Sequence, residues 1–95
     1  MKIREIIWLE DIVEKLEKKH SVRQNEVIEV LENKPKFRFV EKGHRKGENV
    51  YAALGQTYEG RYLIVFFVYK RNGRALIISA RDMTKSERRK FYEPK

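Results

Sequence analysis

The spacing of apolar residues changes once along this chain, at Pro35, and that change limits the folds open to it. Before Pro35, Leu9, Ile12, Val13 and Leu16 recur at i, i+3, i+4 and i+7, one face of a helix, with Trp8 beside the stripe. The pattern predicts a helix over roughly residues 5–19. His20 and Ser21 interrupt it. Ser21 and Gln24 have the S-x-x-Q form of a capping box, so a second helix is expected from there to about Asn33, stopped by Pro35. The short connection implies an antiparallel two-helix hairpin.

After Pro35 the period becomes two. Phe37 and Phe39 alternate with Lys36 and Arg38. Val50–Thr57 reads as a strand, Tyr62–Tyr69 as a central strand apolar on both faces, and Ala75–Arg81 as the last strand. Asn72-Gly73 is a hairpin signal between the last two. Thr84-x-x-Glu87 is a capping box that opens a short basic helix to about Tyr92. The expected fold is α+β: the two-helix hairpin, a four-stranded antiparallel meander and a short C-terminal helix, with the helices on one face. Residues 1–95 have the length of one domain.

Charge points to the partner. Lys and Arg number 22 against 14 Asp and Glu, a net charge of +8. Residues 1–35 hold 7 basic and 8 acidic side chains, whereas residues 36–95 hold 15 and 6. A field of that sign draws polyanions such as RNA, DNA, an acidic protein or anionic lipid, or simply keeps a lysine-rich protein monomeric. The absence of cysteine excludes disulfides, a cysteine zinc site and thiol catalysis. No apolar run approaches the roughly 20 residues of a membrane span, so a soluble cytoplasmic protein with no membrane contact is expected. The only histidines, His20 and His44, lack partners at ligand spacing, and there is no phosphate-binding glycine loop or nucleophile elbow. No metal or cofactor is expected.

A helix-turn-helix reading fails on charge, because the second helix carries Glu26, Glu29 and Glu32. The sheet face left open by the helices is the better surface. Arg61 begins the central strand and Arg81 ends the next, which puts both near one end of the sheet, where two guanidiniums can hold one phosphate. Each can equally be a salt-bridged strand end. Lys70 and Arg71, with Arg74, form a basic group at the opposite end. RNA can cleave itself when its 2′-hydroxyl is aligned on the adjacent phosphate, given a base, an acid and cations. His20, flanked by Lys18 and Lys19, is a candidate for proton transfer or a plain helix cap. Tyr69, Tyr92 and Glu87 are secondary candidates, and Arg88-Arg89-Lys90 is a phosphate-steering or solvated face.

Three stretches together resemble one family. Lys19-His20-Ser21-Val22 is followed by Glu26 and Glu29-Val30-Leu31. Ala53-Leu54-Gly55-Gln56-Thr57 is followed by Gly60-Arg61-Tyr62-Leu63-Ile64-Val65. Ile77-Ile78-Ser79-Ala80-Arg81 is followed by Glu87-Arg88 and Tyr92. With an early tryptophan at Trp8, these resemble the BrnT-type toxins. The resemblance implies a RelE-like fold and the toxin half of a bacterial type II toxin–antitoxin pair. Such a toxin is a metal-independent ribonuclease that slows growth by cutting RNA, and its antitoxin partner is a small DNA-binding protein. It also implies functional roles for His20, Arg61 and Arg81, with Lys19 and Tyr92 beside them. Ser21 stands where the family carries glycine, and Arg23 where it often has a serine cap. A non-catalytic binding domain with the same basic sheet end is the alternative.

Overall fold

A computed structural model describes residues 1–93. Its elements are β1 (Glu5–Ile7), α1 (Glu10–His20), α2 (Gln24–Glu32), β2 (Lys36–Glu41), β3 (Asn49–Gln56), β4 (Tyr62–Lys70), β5 (Arg74–Asp82) and α3 (Lys85–Tyr92). They form a five-stranded sheet in the order β1-β5-β4-β3-β2. Four strands make the expected antiparallel meander, but β1 joins it in parallel to β5, so the sheet is mixed. The expected two-helix hairpin is also absent as a packed unit: α1 lies against β5, and α2 against β3 and β4.

The expected start of the first helix is the error behind the missed strand, whereas the hairpin fails because each helix turns its apolar residues to the sheet. Glu5-Ile6-Ile7 is too short for a period of two to register in sequence. Its backbone finds the open edge of β5, with Ile6 opposite Ala75 and Ile7 opposite Leu76. Helix α1 then starts after Leu9, with Glu10 and Asp11 in its first turn and Lys18, Lys19 and His20 in its last, as the helix dipole favours.

Ser21 closes α1 rather than opening α2. Its backbone is left-handed (φ 52°, ψ 38°), its N–H donates to Glu17 O, and the Val22 N–H donates to Leu16 O. Glycine takes that conformation without a Cβ penalty, which accounts for the residue the resembling family carries there. At the start of α2, the Glu26 carboxylate accepts the Arg23 N–H at 3.0 Å. The Thr84–Glu87 capping box of α3 is present as expected, with both reciprocal bonds made.

The helices do not share a face. Beneath α1 and α2, Leu16, Val22, Val27 and Val30 pack on Ala53, Leu63, Val65, Phe67 and Ile77. Burying a side chain the size of Phe67 is worth about 2–3 kcal/mol. On the other face Ala52, Leu54, Ile64 and Met83 pack with Tyr62, Phe66 and the α3 residue Phe91. Helix α3 therefore covers part of the surface expected to lie open.

Candidate functional site

Register determines what the sheet end presents. In the hairpin of β4 and β5, Lys70 lies opposite Arg74 and Phe67 opposite Ile77. A bulge between Phe66 and Phe67 then shifts the pairing, so that Phe66 meets Ser79, Ile64 meets Arg81 and Leu63 meets Asp82. Side chains on a strand alternate between faces. Arg81 thus leaves on the α3 face with Ile64, while Asp82, Leu63 and Arg61 share the face of α1 and α2. The two arginines stand at one end of the sheet, as expected, but on opposite faces. The expected convergence of both guanidiniums on a single phosphate is not what the fold builds.

Arg61 is occupied within the protein. Its Nε and Nη2 donate to the Asp82 carboxylate at 2.8 and 3.2 Å. Nη1 donates to Ser21 O at 2.7 Å and to Glu26 at 3.2 Å, and Nη2 donates to His20 O at 3.0 Å. The carbonyls at the end of α1 lack intrahelical partners, so the guanidinium caps that helix while tying it to α2 and β5. The hydrogen bond to Asp82 raises the Arg61 pKa against the opposing effect of burial, and Glu26 adds to the rise. Asp82 is held below its ordinary value, mainly by Arg61 and slightly by His20, which therefore lies nearby. Ser21, Arg23, Glu26, Glu29, Thr57, Glu59 and Arg61 line a polar cavity of about 300 Å³ beside this knot.

Arg81 has one acidic partner. Its Nη1 and Nη2 donate to the two Glu87 oxygens at 2.8 and 2.9 Å, and Nη1 also reaches Asp82 O at 3.1 Å. The guanidinium lies 5.6 Å from the Phe66 ring centre, and its side chain is 35% exposed. Arg81 drives the Glu87 carboxyl down to about 2, with help from the Thr84 N–H. Glu87 is thus ionised at neutral pH and cannot donate a proton there. Next to the pair, the Arg88 guanidinium sits 4.1 Å over the Tyr62 ring, and Tyr92, 62% exposed, packs edge-on against Tyr62 at 5.8 Å. Lys36 lies 5.6 Å over Phe91. Cations and aromatic rings interleave here at the surface, the combination that binds single-stranded nucleic acid.

The other candidates scatter. His20 is half-buried at the end of α1, and Lys19 beside it is exposed. Tyr69 donates its hydroxyl to Lys2 O at 2.7 Å on the α1 and α2 face. Lys70 pairs with Glu48 at 2.9 Å and, with Lys46, Arg71 and Arg74, lines a basic cleft of about 170 Å³ at the far end of the hairpin. From there to Arg81 is about 20 Å along the strands. The sequence reading missed Asp82 and Glu26 as partners of Arg61, and the stacking of Arg88 on Tyr62. Alternation from Arg81 to Asp82 was the available signal for the first; nothing local signalled the second.

The structure superposes with a TM-score of 0.63 on a 1.1 Å crystal structure of the Brucella abortus ribonuclease toxin BrnT. The match covers 85% of this chain and 97% of that one at 18% identity, a likeness of fold. No curated protein matches the sequence. The sequence profile of a family described as ribonuclease toxin, BrnT, of type II toxin–antitoxin system matches residues 8–87. The chain belongs to that family, the BrnT ribonuclease toxins of type II toxin–antitoxin systems.

Proposed function

We propose that the chain acts in the cytoplasm as one domain, a metal-independent endoribonuclease whose RNA-contacting surface is the α3 side of the sheet end. The observation that carries this reading is the surface pair of Arg81 and Glu87, a planar guanidinium gripping a carboxylate with two parallel bonds. A phosphate takes the same fork-to-fork geometry, so the scissile phosphate replaces Glu87 on Arg81. Arg88 adds charge, and Tyr62 and Tyr92 offer rings for the flanking bases. Lys70 and Arg71 hold a phosphate further along the strand.

The RNA brings its own nucleophile. Its 2′-oxygen bonds to phosphorus, the 2′ proton goes to a base, and the departing 5′-oxygen takes a proton from an acid. The candidate for that proton transfer, His20, lies with Lys19 on the face of α1 and α2 beside Arg61, so it serves a phosphate held by Arg81 only across the rim of the sheet. Arg61 positions His20 by binding its carbonyl and does not touch phosphate. Growth arrest follows from the loss of RNA, and a small DNA-binding antitoxin relieves it.

The test is cleavage of single-stranded RNA by the purified protein in excess EDTA, together with growth arrest on induction. Arg81→Ala is expected to lose about a hundredfold or more in cleavage while its circular dichroism stays native. Unchanged cleavage by that variant overturns the assignment. One observation favours a non-catalytic RNA-binding module instead: the Arg61 donors are all engaged within the protein. That reading expects salt-dependent RNA binding with no cleavage in the same assay.

A further inference from the structure

We infer that the outer edge of β2 receives a protein partner, which adds an extended segment alternating acidic and apolar side chains. β2 ends the sheet, so among the described residues its outward N–H and C=O groups have no strand beside them. The opposite edge, β1, is only three residues long. A shift in register between Phe39 and Glu41 limits regular pairing on β2 to Lys36–Phe39. Phe39 is 58% exposed although its ring packs edge-on against Tyr51 at 5.8 Å, and Val40 is 43% exposed. Unpaired backbone beside exposed apolar surface suits an added strand.

Alternation specifies the chemistry of that strand. Lys36 and Arg38 lie opposite Leu54 and Ala52 and so face the α3 side, whereas Phe37 and Phe39 face the side of α1 and α2. A partner strand needs a carboxylate opposite the exposed Arg38 and apolar side chains opposite Phe37 and Phe39, since Lys36 already donates to the Glu93 carbonyl and lies over Phe91. Lys42, Arg45 and Lys46 follow, against the carboxylates of Glu41 and of Glu48, which pairs with Lys70, and extend the preference for acid. A second copy of this chain fits poorly. Antiparallel pairing centred on Phe37 sets Lys36 against Arg38, centring on Arg38 sets it against itself, and centring on Phe39 sets Lys36 against Lys42. The type II family brings a protein antitoxin, and the edge supplies the chemistry of such a contact segment. The inference rests on Arg38 and the open edge of β2, not on the assignment of the RNA surface.

A ten-residue peptide alternating glutamate and valine is the probe, with a lysine–valine peptide as its counterpart. The acidic peptide is expected to bind the full-length protein at least about tenfold more tightly and to slow amide exchange along β2 while leaving β1 unchanged. Arg38→Glu, a change at an exposed position, is expected to erase or reverse that preference. Equal binding of the two peptides, protection on α3 in place of β2, or an unchanged preference in Arg38→Glu overturns the inference. So does self-association of the protein through β2, or protection of β2 by RNA with none by the acidic peptide.

Discussion

Arg61 and Arg81 end neighbouring strands at the same rim of the sheet, yet they do different work. Arg61 leaves toward α1 and α2 and meets two carboxylates and two helix-end carbonyls. Arg81 leaves toward α3 and meets one carboxylate and the neighbouring Asp82 carbonyl, with its side chain 35% exposed. The residue type and the distance from a turn are alike. The face decides whether the guanidinium becomes internal mortar or stays exchangeable. Four anionic or carbonyl partners cannot all be displaced by one phosphate, whereas the single carboxylate on Arg81 can, with the Asp82 carbonyl bond left in place.

The largest effect expected from breaking this contrast is at Arg61. Arg61→Ala removes the partner of Glu26, Asp82 and the end of α1 together, and is expected to cost about 2–3 kcal/mol, read as a fall in Tm of about 10–20 °C. Lysine at 61 should restore little of it, because an ammonium cannot span the fork. Arg81→Ala gives the opposite signature. Its stability loss should stay near 1 kcal/mol, as for a partly exposed ion pair, while RNA cleavage collapses. If Arg81→Ala unfolds the protein and Arg61→Ala silences it without unfolding, the contrast is wrong.

Acid titration sharpens it further. Because Arg81 depresses the Glu87 carboxyl from 4.5 to about 2, its contribution is fully present above 4.5 and disappears as pH falls through about 2. Glu87→Gln should flatten the acid limb of a stability–pH curve in that window. Screening at the surface keeps the loss at neutral pH on the order of 1–2 kcal/mol. The same variant frees Arg81 and should tighten RNA binding. The smallest effect is at the cap that Arg61 serves: Ser21→Gly relieves a left-handed backbone and should stabilise by about 0.5–1 kcal/mol in urea melts.

Much of this was legible in the chain. Alternation after Pro35 located β2 to β5, Asn72-Gly73 located their last hairpin, and Thr84 with Glu87 located the start of α3. Asn72 and Gly73 both take positive φ, 70° and 78°, as that dipeptide favours. Three features escaped. Glu5-Ile6-Ile7 carries no periodic signal, and its pairing with β5 is a contact across about seventy residues. Ser21 satisfied one capping rule on paper and another in the fold, because the carbonyls of α1 needed it first. Helix α3, strongly basic, shows in its sequence no preference for one side of the sheet over the other; Phe91 packing with Tyr62 and Ile64 settles the side.

Taken alone, the sequence determined the number and order of most elements, the basic character of the second half and the presence of two arginines at one rim. These depend on local pattern and composition, which a linear reading captures. Whether those arginines meet depended on the bulge at Ile78. Continued from the turn, the register of Lys70 opposite Arg74 would have set Arg81 opposite Leu63, on the same face as Arg61. One extra residue moves it opposite Ile64 and turns every later side chain of β5 to the other face. That residue is accommodated by the packing of two faces at once, so only the assembled tertiary structure could decide it.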